Sequence, residues 1–196
     1  MISQPEALPV FLEVTKAFKN VVITPNIVEF DRLCEQFQDQ NIPKKDESLK
    51  ALQVEVYKSI LGQAVQVGDD SEENWHKIAA RAIALSRALN NVMVLQKGLV
   101  DVITNGDHTF LVAVEGAAKR CGGQGDVLAG TIGTFLNYKY QSEDADSQIN
   151  PQLLSLVFAS MTTRQAAHIA FQSKGHSLVT PDVIDLGLSG SHGVIS

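Results

Sequence analysis

The chain has 196 residues and a formal net charge of -6, with 44% hydrophobic and 19% charged residues. That balance excludes a disordered chain and fits a single soluble globular domain over residues 1–196. It also argues against a general nucleic-acid or anionic-membrane surface, because gripping phosphate backbones needs an excess of Lys and Arg.

An anionic small molecule needs only local positive charge, which Lys97, Lys119 and Arg120 can supply. The two cysteines, Cys34 and Cys121, form no CxxC pair, so neither a disulfide framework nor a structural zinc site is indicated. With no secretory pattern at Met1 and no apolar run of membrane length, the expected location is the cytoplasm.

Taken in chain order, Pro5 to Lys19 has helical spacing, with Leu8, Phe11, Leu12, Val14, Thr15 and Phe18 on one broad face. Val21 to Thr24 is a β-branched run stopped by Pro25, as in a buried parallel strand that ends at a loop. Asn26 can then open a helix carrying Ile27, Phe30 and Leu33. A polar loop over Ile42–Glu47 leads to a helix expected from about Ser48 to Gln66. Asp70-Ser71-Glu72-Glu73 reads as a capping box for a helix from Trp75 to Leu89. Val92 to Gln96 is a second buried strand, followed by Lys97-Gly98. The order strand, helix, strand predicts a right-handed crossover and parallel pairing. Val100–Thr104 and Thr109–Val114 flank Asn105-Gly106-Asp107, a strong hairpin signal. Helices from Asp126 to Tyr140, after Pro151 and near Asp182 complete an α/β layered domain.

Between hairpin and helix lies Arg120-Cys121-Gly122-Gly123-Gln124-Gly125-Asp126. Three glycines in four positions running into a helix suit an anion hole at Gly122, Gly123, Gln124 and Gly125, since first-turn N–H groups lack helical partners and glycines let a phosphate approach. Asp126 beside it can take a proton from a substrate hydroxyl. The same residues also suit an ordinary turn and a helix-start Asp. A Walker loop is excluded, because Gly125 is followed by Asp126 and Val127 rather than Lys and Ser or Thr. A dinucleotide fingerprint is excluded too, because its third glycine would fall on Leu128. Cys121 beside a helix start can be an activated thiolate or a loop-packing residue, and no sequence-local base makes it a nucleophile. His76, His108 and His168 form no HExxH site, and Ser59, Ser86 and Ser155 lack a GxSxG context.

Arg120 to Asp126, together with Lys97-Gly98 and Thr24-Pro25-Asn26-Ile27-Val28-Glu29-Phe30, resembles the eukaryotic ATP-dependent NAD(P)H-hydrate dehydratases of the ribokinase-like superfamily. The resemblance covers most of Met1 to about Leu188. It implies a ribokinase-like three-layer αβα sandwich with a mainly parallel sheet. It also implies that Met1 enters partway through the catalytic domain, which would leave an apolar edge open to self-association. The implied reaction is phosphorylation of the ring hydroxyl of hydrated NADH or NADPH by ATP or ADP with Mg²⁺, followed by loss of phosphate. Carried over residue by residue, the substrate segment falls on Asn26, Ile27, Val28, Glu29, Phe30, Asp31 and Arg32, with Asp126 as base. Nucleotide contacts fall on Lys97, Gly98, Leu99, Val100 and Asp101, and on Gly116, Ala117, Ala118, Lys119, Arg120, Cys121, Gly122, Gly123, Gln124 and Gly125. Glu29, in an N-x-x-E element, is the implied Mg²⁺ residue, directly or through water; it and Asn26 also suit a capping box. Leu99 and Ile27 depart from the acid and the His common at those positions. A different ribokinase-like small-molecule kinase and a non-catalytic nucleotide-binding fragment are the alternatives.

Overall fold

A computed structural model of the chain describes residues 8–18, 20–37, 41–140 and 150–189, without the side chains of 138–140. The chain forms two compact units, one of residues 1–60 and 64–113, the other of residues 61–63 and 114–196.

The first unit holds the whole sheet. Its elements are α1 (Leu8–Ala17), β1 (Val22–Ile23), α2 (Ile27–Glu35), α3 (Leu49–Ser59), β2 (Ala64–Val67), α4 (Glu73–Ala88), β3 (Met93–Gln96), β4 (Asp101–Thr104) and β5 (Thr109–Val112). The five strands lie in the order β1-β3-β4-β5-β2. β1 and β3 are parallel, in register Val22 with Met93, as the intervening helices require. The β4–β5 hairpin forms at the expected turn. There Gly106 takes φ +89 and the Asn105 side chain accepts from the N–H of His108 at 2.8 Å.

The α/β class holds, and the sheet is mixed rather than mainly parallel, with the β3–β4, β4–β5 and β2–β5 pairs all antiparallel. For β3–β4 and β4–β5 the reason is loop length: the connections 97–100 and 105–108 are too short for a parallel crossover. Three other expectations change. The helix expected to reach Gln66 ends at Ser59, and Gly62 at φ +82 turns the chain into edge strand β2, where Val65 and Val67 pack on the core and Gln66 faces out. The box at 70–73 does not form: Glu72 caps α4 without a side-chain bond, and the Ser71 hydroxyl accepts from the N–H of Gly68 at 2.9 Å. In α1, Val14 and Phe18 are exposed, so the buried stripe narrows to Leu8, Phe11, Leu12 and Thr15. Pro5–Ala7 and Lys19 of that predicted helix lie outside the described residues.

The core of this unit packs α4 and α2 on one sheet face: Ile78, Ala79, Ala82 and Leu85 meet Phe30, Leu33, Val94, Val102 and Leu111. Ala79 and Ala82, both fully buried, let the α4 backbone approach the strands. Burial of each large side chain contributes roughly 1.5–3 kcal/mol. Leu85→Ala is therefore expected to cost ~2–5 kcal/mol in denaturant unfolding.

The second unit is helical: α5 (Gln124–Tyr140), α6 (Pro151–Lys174), a 3₁₀ turn (Gly175–Ser177), α7 (Thr180–Asp182) and a π-turn (Val183–Leu188). α6 begins at Pro151, as expected, with Asn150 capping it through its side chain and Gly175 at φ +55 closing the other end. Ala166, Ala167, Ala170, Leu178 and Val183 form its core. The π-turn lies against α6 so closely that a Cβ on Gly187 would sit 2.3 Å from the Ala166 carbonyl oxygen. No described helix is long and apolar enough to cross a membrane.

Candidate active site

In the first unit the candidate segments collect at one sheet edge. β1 and β3 run the same way, so Thr24–Asn26 and Lys97–Gly98 leave the sheet at the same side. The N–H of Lys97 donates to the Pro25 carbonyl at 2.9 Å and joins the two. β5, two antiparallel steps from β3, ends at that edge as well. The carboxyl ends of parallel strands are where ligands bind in open α/β sheets.

Within this edge the side chains divide into two kinds. Asn26 and Glu29 form a complete capping box: the Asn26 Oδ1 accepts from the N–H of Glu29 at 3.0 Å, and the Glu29 Oε2 accepts from the N–H of Asn26 at 2.9 Å. Phe30 is sealed in the core, with the Arg81 guanidinium 5.2 Å from its ring centroid. Asp31 pairs with Arg81 at 2.7 Å and Lys45 at 2.9 Å. Burial alone would raise the Asp31 pKa, and the hydrogen bonds from Arg81 and Lys45 outweigh it, holding the carboxyl below its ordinary 3.8. Ile27, Val28 and Arg32 face outward. In the second segment, buried Asp101 accepts from the N–H of Gly98 at 2.9 Å and thereby shapes the turn that carries Lys97. A Cβ on Gly98 would lie 2.8 Å from the Val100 carbonyl oxygen, so glycine is required there. Val100 is buried, Lys97 half-buried and Leu99 exposed.

In the second unit the glycine loop opens α5 two residues earlier than expected, at Gln124. The N–H groups of Asp126 and Val127 both donate to the Gly123 carbonyl, at 3.0 and 3.1 Å. Gly123 makes the turn at φ +90, a conformation that L side chains rarely adopt. Around Gly122 there is no atom within 4 Å of where a Cβ would stand, so this backbone is open to a ligand. Asp126 is exposed in the first turn of α5. Arg120 is exposed, while Lys119 is turned onto its own unit, donating to the carbonyls of His176 at 2.5 Å and Leu178 at 3.3 Å. Upstream, the Arg164 Nε donates to the Val114 carbonyl at 2.6 Å, beside Gly116. Ala117 and Cys121 pack against the core of this unit, and Ala118 is exposed.

Residues that sequence reasoning missed are the ones that hold these segments. Thr180 donates its hydroxyl to the Gly122 carbonyl and lies 3.3 Å from the Cys121 sulfur. Arg81 clamps Asp31 from fifty residues away. Neither has a local signal, because both contacts are long-range. Among the described residues no group of three or more His, Cys, Asp or Glu is arranged to hold a metal ion.

The first unit is thus a mixed α/β sheet with loops at its strand ends, and the second unit carries a glycine-rich helix start. The profile of the family described as NAD(P)H-hydrate dehydratase matches residues 6–186, and the chain belongs to that family. Among similar proteins, the ATP-dependent (S)-NAD(P)H-hydrate dehydratase of Danio rerio is 30% identical over 172 residues, covering 87% of this chain and 43% of the relative. That of Neurospora crassa is 33% identical over 178 residues, with the same coverage. That of Homo sapiens is 32% identical over 168 residues, covering 85% of this chain and 40% of the relative. The chain thus spans less than half the length of the curated relatives it matches.

Proposed function

We propose that this chain is part of a catalytic domain that uses ATP to dehydrate hydrated NADH or NADPH. The observation carrying the proposal is the Gly122–Gly125 turn at the start of α5, open at Gly122 and followed by an exposed Asp126. Membership of the family and the names of its relatives support the substrate pair.

In this scheme Asp126 takes the proton of the hydroxyl on the hydrated nicotinamide ring, whose oxygen attacks the terminal phosphorus of ATP, and ADP leaves. First-turn N–H groups of the loop stabilise charge on the transferred phosphoryl oxygens, a task suited to fixed dipoles. The carbon–oxygen bond then breaks, inorganic phosphate leaves, and loss of a ring proton restores the reduced dihydropyridine. The nicotinamide species is substrate and product, with no net redox change.

For the nucleotide we assign Lys97 through Asp101 and Gly116 through Gly125, with half-buried Lys97 and exposed Arg120 as the cations and Asp101 and Lys119 shaping their loops. For the hydrated ring we assign Asn26 through Arg32, in which Phe30 and Asp31 support the outward residues from within the fold. Glu29 fits a hydrated Mg²⁺: the cap employs its Oε2, and one half-buried carboxylate suffices for an ion that keeps its waters and binds substrate phosphates. Mg²⁺ would supply charge neutralisation on the phosphates. The two free cysteines, Cys34 and Cys121, are in keeping with a reducing compartment, and a cytoplasmic location is part of this proposal.

The test is incubation of the chain with hydrated NADH, ATP and Mg²⁺, following reduced-nicotinamide absorbance and released phosphate together. Nucleotide-dependent recovery of both in equal amounts is expected. Accumulation of a phosphorylated nicotinamide without phosphate release would instead mark a kinase. No reaction by the folded chain would leave a nucleotide-binding fragment.

A further inference from the structure

We propose that Thr180 is a positioning residue for the glycine loop, resting on the proposed role of that loop in nucleotide phosphate binding. Three observations within the second unit converge on its side chain. The Thr180 hydroxyl donates to the carbonyl of Gly122. The Cys121 sulfur lies 3.3 Å from the same oxygen, and since the single hydroxyl proton is committed to Gly122, the thiol is the donor of that pair. On the next residue, a Cβ added to Gly123 would meet the Thr180 Cγ2 and Oγ1, each at 3.2 Å. One side chain therefore bonds two consecutive loop residues, Cys121 and Gly122, and stands against the place where the third, Gly123, would carry a Cβ.

The consequence is directional. Accepting through its carbonyl oxygen fixes the rotation of the peptide joining Gly122 to Gly123, and so fixes where the Gly123 N–H points. The methyl and hydroxyl of Thr180 block one side of the turn at Gly123, while Gly122 is open. A glycine-rich turn has more conformational freedom than any other, so its N–H groups present a fixed target only if an outside group holds them. Lys119 closes the clasp from the opposite end of the contact, because its ammonium binds the carbonyls of His176 and Leu178 just before Thr180. Thr180 itself touches no reacting atom in this scheme and acts through the loop.

The experiment compares the 196-residue chain with Thr180→Val, which keeps the shape and removes the hydroxyl, and Thr180→Ser, which keeps the hydroxyl. Two readouts are taken. The first is the rate of Cys121 alkylation by a small thiol reagent at pH 8, with and without ATP. Cys34 stays silent there, because it is buried with its thiol pushed up to about 11. The second is the KM for ATP and kcat in the dehydration assay. Thr180→Val is expected to speed Cys121 alkylation and raise the KM for ATP, each by about three- to tenfold, with a smaller change in kcat, as loss of one hydrogen bond implies. Thr180→Ser is expected to stay within about twofold of the parent in both.

Unchanged alkylation and KM in Thr180→Val overturn the proposal, as does a Ser variant as impaired as the Val variant. Should Thr180→Val fail to fold, Lys119→Met releases the other end of the clasp and carries the same readouts, and no change in either then overturns it. Absence of turnover in the parent chain counts against the dehydratase function alone, since the alkylation rates decide on Thr180 without it.

Discussion

The helices that begin at Ile27 and at Gln124 start in different ways. α2 satisfies its own first turn: Asn26 and Glu29 exchange side-chain bonds with each other's backbone N–H groups, and the next two side chains, Phe30 and Asp31, are tied into the core and to Arg81. α5 follows Gly122-Gly123, which have no side chain to cap with, and the Thr180 hydroxyl, about sixty residues further on, bonds the Gly122 carbonyl. An uncapped start alone means little, since α3 and α4 also lack a side-chain bond at their caps. What sets α5 apart is a start preceded by two glycines, clasped on one side and open at Gly122. In the proposed scheme the start that satisfies itself serves stability, and the one that is held but left open is where the phosphate binds.

Substitutions at the two starts should therefore fail differently. The largest effect is expected from Asp126→Asn, which should lower dehydration turnover by ~10²–10⁴-fold while the unfolding midpoint stays put, because the side chain is exposed. Full turnover in that variant would remove Asp126 as the base. Gly123→Ala comes next: at φ +90 and 3.2 Å from Thr180, the new methyl should cost ~1–3 kcal/mol in denaturant unfolding. At the self-capped start, Asn26→Ala should cost ~0.5–2 kcal/mol by the same measurement. A cost near zero there would mean that the box contributes nothing and would weaken the contrast.

The smallest effect is in acid. Asp31 has its folded pKa below 3.8, so its stabilisation is complete above that pH and is lost as the pH falls further and the carboxylate is protonated in the folded state. Unfolding midpoints of the parent should fall more steeply below pH 4 than those of Asp31→Asn, by under about 1 kcal/mol given the exposed Lys45 partner. Parallel curves would show that the Arg81–Asp31–Lys45 group does not couple to stability.

Much of this was legible from local pattern. Asn26 three residues before Glu29 specifies a cap, Asn105-Gly106-Asp107 specifies a hairpin, and Pro151 marks the start of α6. Local pattern failed where tertiary pairing decided the outcome. Ala64-Val65-Gln66-Val67 continues the apolar spacing of α3 and became a strand because β5 offered an antiparallel edge. Ser71 turned back to Gly68 instead of capping α4. The candidate glycine loop was recognisable because its chemistry is packed into seven adjacent residues, whereas Thr180, Arg81 and the role of Asp101 in shaping the Lys97 turn emerged only with the fold.

The most direct measurement is calorimetric titration of ATP with Mg²⁺ into the parent chain and Gly122→Ala. A Cβ at this position meets nothing within 4 Å and the backbone is not left-handed, so the fold should be unaffected or slightly stabilised. The added methyl would stand where a phosphate must approach, and ATP affinity is expected to fall at least tenfold, about 1.4 kcal/mol, with an unchanged or raised unfolding midpoint. Equal affinity in the two proteins would contradict phosphate binding at the start of α5.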